Sequence, residues 1–124
     1  MKYHLLLIAL LLNYHAAHTQ TQFIISNGEL KISDTTQIVL HNTQWVNNAS
    51  FSAGESTVVV SGASTDAQSA ISGTTETSFY NLEMNKSTNG SQLQQNIQVV
   101  NELIMTSGNL DLNGDTCVLG TANG

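Results

Sequence analysis

The 124-residue chain carries nine carboxylates against three lysines and no arginine, a formal net charge of −6. That balance excludes the Lys/Arg clusters with which proteins hold nucleic acid or an anionic membrane surface. A single cysteine, Cys117, excludes an internal disulfide.

Residues 1–19 read as a signal peptide. Lys2 is followed by an unbroken apolar run from Leu5 to Leu12 and then by the small residues Ala16 and Ala17. The run falls short of the roughly 20 residues that cross a bilayer, and no second apolar run follows, so no transmembrane segment is expected once the leader is removed. Ala17-His18-Thr19 before Gln20 is the best cleavage site. With no cysteine nearby, a lipoprotein anchor is excluded. The expected destination is secreted, extracellular or at the cell surface.

From residue 20 onward the chain predicts short strands and no helix. Apolar residues recur as i, i+2 pairs: Leu30/Ile32, Ile38/Leu40, Phe51/Ala53, Val58/Val60, Leu82/Met84, Ile97/Val99, Leu103/Met105, Leu110/Leu112 and Cys117/Leu119. Such a pair puts two side chains on one face of a strand and the residue between them on the other. Helical amphipathicity needs the i, i+3, i+4 spacing instead. Turn signals separate the pairs at Asn27-Gly28, Ala53-Gly54, Ser61-Gly62, Ser72-Gly73, Asn89-Gly90, Ser107-Gly108 and Asn113-Gly114. The pairs also recur at long range, Leu30 to Phe51 and Leu82 to Leu103 at twenty-one residues, Ile38 to Val58 and Ile97 to Cys117 at twenty. A right-handed parallel β-helix explains that interval, with three strands to a coil and about 20–21 residues between stacked positions. An antiparallel β-sandwich also accommodates frequent turns, but nothing in it repeats at that interval. The reading is therefore an all-β solenoid over residues 20–124, with stacked aliphatic side chains as its axis. Gly62 to Ser78, whose one large apolar residue is Ile71, reads as a loop bulging from a coil. No capping segment is visible after the last strand pair, so the chain reads as an amino-terminal fragment whose missing downstream coils are among its expected partners.

Two stretches carry a family resemblance. Ala67-Gln68-Ser69-Ala70-Ile71-Ser72-Gly73 followed by Phe79-Tyr80-Asn81-Leu82-Glu83-Met84-Asn85, and Leu103-Ile104-Met105-Thr106-Ser107-Gly108-Asn109-Leu110-Asp111-Leu112-Asn113-Gly114, resemble coil signatures of large repetitive surface proteins of Bacteroidetes-type bacteria. In the first, Met84 stands where the pattern has Ile. The resemblance implies a parallel β-helical, adhesin-like exoprotein associated with type IX secretion. It implies no activity, and this sequence shows no carboxy-terminal sorting domain.

No catalytic, cofactor-binding or metal-binding residue is assigned, and no cofactor is expected. His41 is the one histidine outside the leader region and reads as an exposed corner residue rather than a general base. The pairs Asp111/Asp115 and Glu29/Asp34 are the carboxylates nearest to a glycosidase arrangement, which needs two acids converging on one face. Asn109 to Asp115 mimics the start of a calcium loop, yet its twelfth position is Gly120 rather than Glu. Cys117 reads as a small buried hydrophobe, and Trp45 as packing rather than as a sugar platform with Tyr80. Asn48, Asn85 and Asn89 each open a glycosylation triplet that is common by chance in a Ser/Asn-rich chain. The expected function is a non-enzymatic structural or adhesive protein that presents a polar face to glycans or extracellular proteins. A non-catalytic or incomplete part of a secreted polysaccharide-active enzyme is the alternative.

Overall fold

The computed structural model describes residues 21–63 and 68–120. The leader, its cleavage site and the four residues after Gly120 lie outside them. Twelve strands follow one another without a helix among the described residues: β1 (Thr21–Ile25), β2 (Glu29–Lys31), β3 (Gln37–His41), β4 (Thr43–Asn47), β5 (Ser50–Ser52), β6 (Thr57–Gly62), β7 (Ser69–Gly73), β8 (Thr77–Lys86), β9 (Ser91–Leu93), β10 (Ile97–Ser107), β11 (Leu110–Asp111) and β12 (Cys117–Leu119). Every strand pairing is parallel, which requires the chain to come round a full circuit between partners. The result is a β-solenoid of stacked coils. One sheet runs β1-β4-β7-β9-β11, a second β3-β6-β8-β10-β12, and a third β2-β5.

Each long-range recurrence read from the sequence is a vertical contact. Leu30 pairs with Phe51, Ile38 with Val58, Leu82 with Leu103, and Ile97 with Cys117. Like residues therefore lie above one another, and the aliphatic interior forms without any one coil having to bury its own inner face. Val58, Val60, Leu82, Met84, Ile97 and Val99 are all buried. The interior is not purely aliphatic, however. Phe23 stacks on Trp45 at 5.3 Å between ring centroids, and Trp45 in turn meets Phe51 at 4.9 Å and Phe79 at 5.2 Å. These four rings fill the upper coils, where edge-to-face and offset contacts add to area burial.

The corners follow the turn signals. All seven glycines flagged at turn dipeptides have positive φ, and Asn42 alone, at φ 49°, makes the corner between β3 and β4. Gly73 shows why the residue type matters: its φ is 129°, and a Cβ there would run into the Asn47 backbone of the coil above.

Two departures refine the sequence reading. The segment Gly62 to Ser78 is largely strand rather than bulge: Ser69–Gly73 is β7, paired with β4 and β9, and Thr77 opens β8. The extra length is confined to the stretch between β6 and β7. There the separation of stacked residues rises from 20 for Gln37 and Thr57 to 24 for Thr57 and Asn81. Only a short insertion is needed to account for it. The second departure is that β8 and β10 run through a corner and cover two faces each. The separation of their partners steps from 20 at Val99–Phe79 to 21 at Glu102–Asn81, so β10 carries one extra residue at that corner.

Because packing of the inward column supplies the cohesion, Leu82→Ala is expected to lower unfolding stability by about 2–5 kcal/mol. Val39→Ala, at a residue pointing outward and 56% exposed, is expected to change it by less than about 0.5 kcal/mol. Urea denaturation of the two variants measures the difference.

Candidate interaction surface

Polar side chains divide into two sets, one locked inside the coils and one arrayed outside. The inner set centres on Thr77, which is fully buried. Its Oγ1 accepts from Trp45 Nε1, Asn47 Nδ2 and Gln95 Nε2, each at 3.1 Å. Trp45 and Asn47 come from β4 in one coil, Thr77 from the next, and Gln95 from the turn after β9 in the coil below, so a single hydroxyl ties three coils together. Gln95 Nε2 also donates to the Ser72 carbonyl at 2.9 Å, and Asn47 Oδ1 accepts from the Ala49 amide at 3.2 Å. Thr77→Val keeps the shape but removes the acceptor, stranding the indole and carboxamide donors in a dry interior. Its expected cost is on the order of 3 kcal/mol. Thr77→Ser keeps the oxygen and is expected to cost only about 1 kcal/mol, the loss of one methyl. Thermal or urea unfolding of the pair checks the contrast.

Lys86 is the second inner polar residue. It extends the inward parity of Leu82 and Met84 by two more positions and is 1% exposed. Its Nζ donates to Ser69 Oγ at 2.9 Å across the coil. Burial pushes the ammonium below its ordinary value of 10.5, because removal from water disfavours the charged form. The unfolded chain thus holds a proton that the native chain has released between the lowered value and 10.5, and stability rises with pH across that window. Lys86→Met is expected to abolish this alkaline gain and to raise stability below that window, where the wild type keeps a charged ammonium out of water. Urea titrations at a series of pH values, wild type against variant, measure both effects.

The outer set forms ladders that climb the solenoid. Gln22 Nε2 donates to Gln44 Oε1 at 3.2 Å, Asn101 Nδ2 to Asn81 Oδ1 at 2.8 Å, Thr106 Oγ1 to Glu83 Oε1 at 2.8 Å and Ser107 Oγ to Asn85 Oδ1 at 3.1 Å. Ser78 Oγ donates to Gln98 Oε1 at 3.4 Å, and Gln98 Nε2 passes the chain on to the Gly120 carbonyl at 2.8 Å. Every one of these bonds joins residues 20 to 23 apart, one coil. The ladders hold hydroxyls and carboxamides in rows at the interstrand spacing of about 4.8 Å.

The residues flagged in the sequence are dispersed over this scaffold. His41 is exposed at the end of β3, with its carbonyl accepting from Thr43 Oγ1 at 2.9 Å, a corner residue as expected. Trp45 is 1% exposed and belongs to the core, whereas Tyr80 is half-buried at the β8 corner; no aromatic platform joins them. Tyr80 instead borders a shallow groove with Ser52, Gly54, Ser78 and Val100. Glu29 stacks on Ser50, and Asp34 sits in the following turn at φ 59°. Asp111 Oδ1 accepts from the Asn113 amide at 2.9 Å, and Asn113 Nδ2 donates to the Leu93 carbonyl at 3.2 Å. These two side chains thus shape the turn after β11. Asn48 accepts from the Thr74 amide at 3.0 Å and Asn85 from Ser107, giving both asparagines structural partners. Cys117 is half-buried against the core, which pushes its thiol above the ordinary range.

Thr77, Gln95 and Lys86 were not singled out by the sequence pattern. Lys86 alone carried a signal: its place two residues after Met84, on the inward parity. No protein family, curated protein or solved structure matches the chain in comparisons of sequence and fold.

Proposed function

We propose that this chain is a secreted or cell-surface structural module of adhesive type, which uses its β-solenoid to present rows of carboxamide and hydroxyl groups to glycans or extracellular proteins. The observation that carries the reading is the set of outward ladders, above all Asn81–Asn101, Glu83–Thr106 and Asn85–Ser107 along β8 and β10. Regularly spaced donors and acceptors suit weak contacts repeated many times, where avidity rather than any single bond gives retention. Two further elements complete the proposal. In this proposal the leader over residues 1–19 directs export, and the class is the one that the coil signatures resemble, the adhesin-like exoproteins of Bacteroidetes-type bacteria served by type IX secretion. Catalysis has no role in this reading; of the residues flagged in the sequence, Glu29, Asp34 and His41 belong to the first coil and Asp111 and Asp115 to the last.

Immobilised polysaccharides and extracellular-matrix proteins offered to the purified chain test the proposal. Retention is expected to fall at least about tenfold in Asn81→Ala/Asn101→Ala/Thr106→Ala, with the β-sheet circular dichroism unchanged, because the loss of each rung removes one of many additive contacts. Release of new reducing ends from any polysaccharide, or retention on none of the surfaces, would overturn it.

A further inference from the structure

Among the described residues, the strand ladders of the solenoid are interrupted at one internal place. β5 pairs with β2 above it and with no strand below. Thr77 to Phe79, the start of β8, pairs only with β10 beneath, and β8 gains its upper partner β6 at Asn81. The chain turns from β5 into β6 through residues 53–56, whereas β8 bends through the same corner without a turn, so the two coils have different outlines there. Behind the break the rings of Phe51 and Phe79, 6.1 Å apart, close the interior. Outside them lies a groove of about 290 Å³ that crosses three coils, lined by Ser52 and Gly54 from the upper one, Ser78 and Tyr80 from the next, and Val100 from the one below.

The groove offers backbone as well as side-chain partners. The Ser50 amide donates to the Gly28 carbonyl and the Ser52 carbonyl accepts from the Ile32 amide, so both look upward. Residues of a parallel strand bond alternately to its two sides, which turns the amide and carbonyl of Phe51 toward the break, where no strand receives them. Such groups take water or a ligand as partner. An added strand does not fit: Cα atoms of β5 and β8 approach within 8 Å, less than the roughly 9.6 Å that a strand inserted between them needs. Charge narrows the choice further. The surrounding charges are Lys31 against Glu29, Asp34, Glu55 and Glu102, an acidic margin that disfavours anions, yet none of them lines the groove, so an entering cation gains no partner there for the water it gives up. What matches an aromatic side chain, two hydroxyls and a free peptide group is an uncharged ring with an apolar face and a rim of groups that both donate and accept.

We propose that this groove takes one neutral pyranose residue of a glycan chain, its apolar face against the Tyr80 and Val100 side chains and its hydroxyls toward Ser52, Ser78 and the Phe51 backbone. The inference rests on the adhesive reading and names the ligand class and an anchoring site for it. From the groove the Ser78–Gln98 rung continues down the solenoid, so the rest of the glycan has a polar path to follow.

Tyr80 itself reports on the groove, because the other two tyrosines, Tyr3 and Tyr14, lie within residues 1–19. In the whole chain made with fluorotyrosine, the fluorine resonance absent from Tyr80→Phe belongs to Tyr80. Cellohexaose, xylohexaose and mannohexaose are the neutral probes and hexagalacturonate the anionic one. At least one neutral probe is expected to shift the Tyr80 resonance saturably, with half-saturation between about 0.1 and 10 mM as befits one weak contact, and hexagalacturonate to bind at least about tenfold more weakly. Calorimetry with the same neutral probe is expected to show at least about tenfold weaker binding in Tyr80→Ala and, separately, in Val100→Lys, each with unchanged circular dichroism. Two variants guard against one failing to fold. No shift with any neutral probe, an equal response to hexagalacturonate, or binding that survives both substitutions would overturn the proposal. Retention on immobilised polysaccharide separates this failure from that of the adhesive reading: retention that survives Tyr80→Ala but is lost when Asn81, Asn101 and Thr106 are replaced rejects the groove alone, whereas retention on no surface rejects both.

Discussion

Vertical registration of side chains is the constraint from which the rest of this structure follows. Each coil is a ring of short strands too thin to enclose a core, and its inner residues become dry only when the next coil places apolar atoms directly above or below them. Parallel backbone pairing fixes which residues those are. Leu82 and Met84 lie between Val58 and Val60 on one side and Leu103 and Met105 on the other, so hydrogen bonding and hydrophobic burial enforce the same alignment. A slip of one residue would turn the whole inward column outward. Corners must therefore deliver each strand in phase, and backbone at positive φ, supplied mostly by Gly and Asn, does so.

The columns in which both inward positions are apolar were legible from the sequence. Leu30/Phe51, Ile38/Val58 and Leu82/Leu103 announce themselves because like stacks on like, and their separation gives the length of a coil. The face built from β1, β4, β7, β9 and β11 was far less legible. Its inward positions include Asn47, Ser69 and Ser91, all buried, and a pattern that identifies interior residues by hydrophobicity passes over them. The corner inside β8 and β10 was hidden for a different reason. A bulge lets one strand bend across two faces without a turn residue to mark it. The candidate surface fared similarly: Asn, Gln, Ser and Thr were legible as a polar exterior, but which of them join into ladders depends on register, which becomes known only once partners are assigned.

The polar interior gives these coils something that aliphatic stacking alone does not. Val, Leu, Ile and Met columns tolerate exchange of one aliphatic for another, and a solenoid held by them alone would accept several near-equivalent registers. Thr77 removes that freedom, because its oxygen must sit where an indole, an asparagine and a glutamine from neighbouring coils all reach it at 3.1 Å. Lys86 is similarly particular: its ammonium is acceptable in the interior only with Ser69 placed to receive it at 2.9 Å. Both groups lie in the middle coils, next to the place where the coil length departs from its usual value. A coil that accommodates an insertion has the greatest need of contacts that recognise a single alignment, and buried hydrogen bonds penalise misalignment more steeply than methyl groups do.

The same logic governs the surface. Outside the stack, side chains of successive coils meet at the interstrand distance whether or not they attract one another, so a face of like charges would work against the packing beneath it. A chain with nine carboxylates resolves this with neutral rungs and with hydroxyls set beside acids, as where Thr106 donates to Glu83 at 2.8 Å. Ladder bonds between exposed groups contribute little to stability individually, because water competes for both partners. Their consequence lies instead in order: a carboxamide already bonded to the coil above loses its rotamer freedom during folding, and in the proposed adhesive role that ordering would not have to be supplied by binding. Rigidity inside the solenoid and preorganisation outside it are thus two results of one register, and any residue that disturbs the inner alignment also disorders the surface above it.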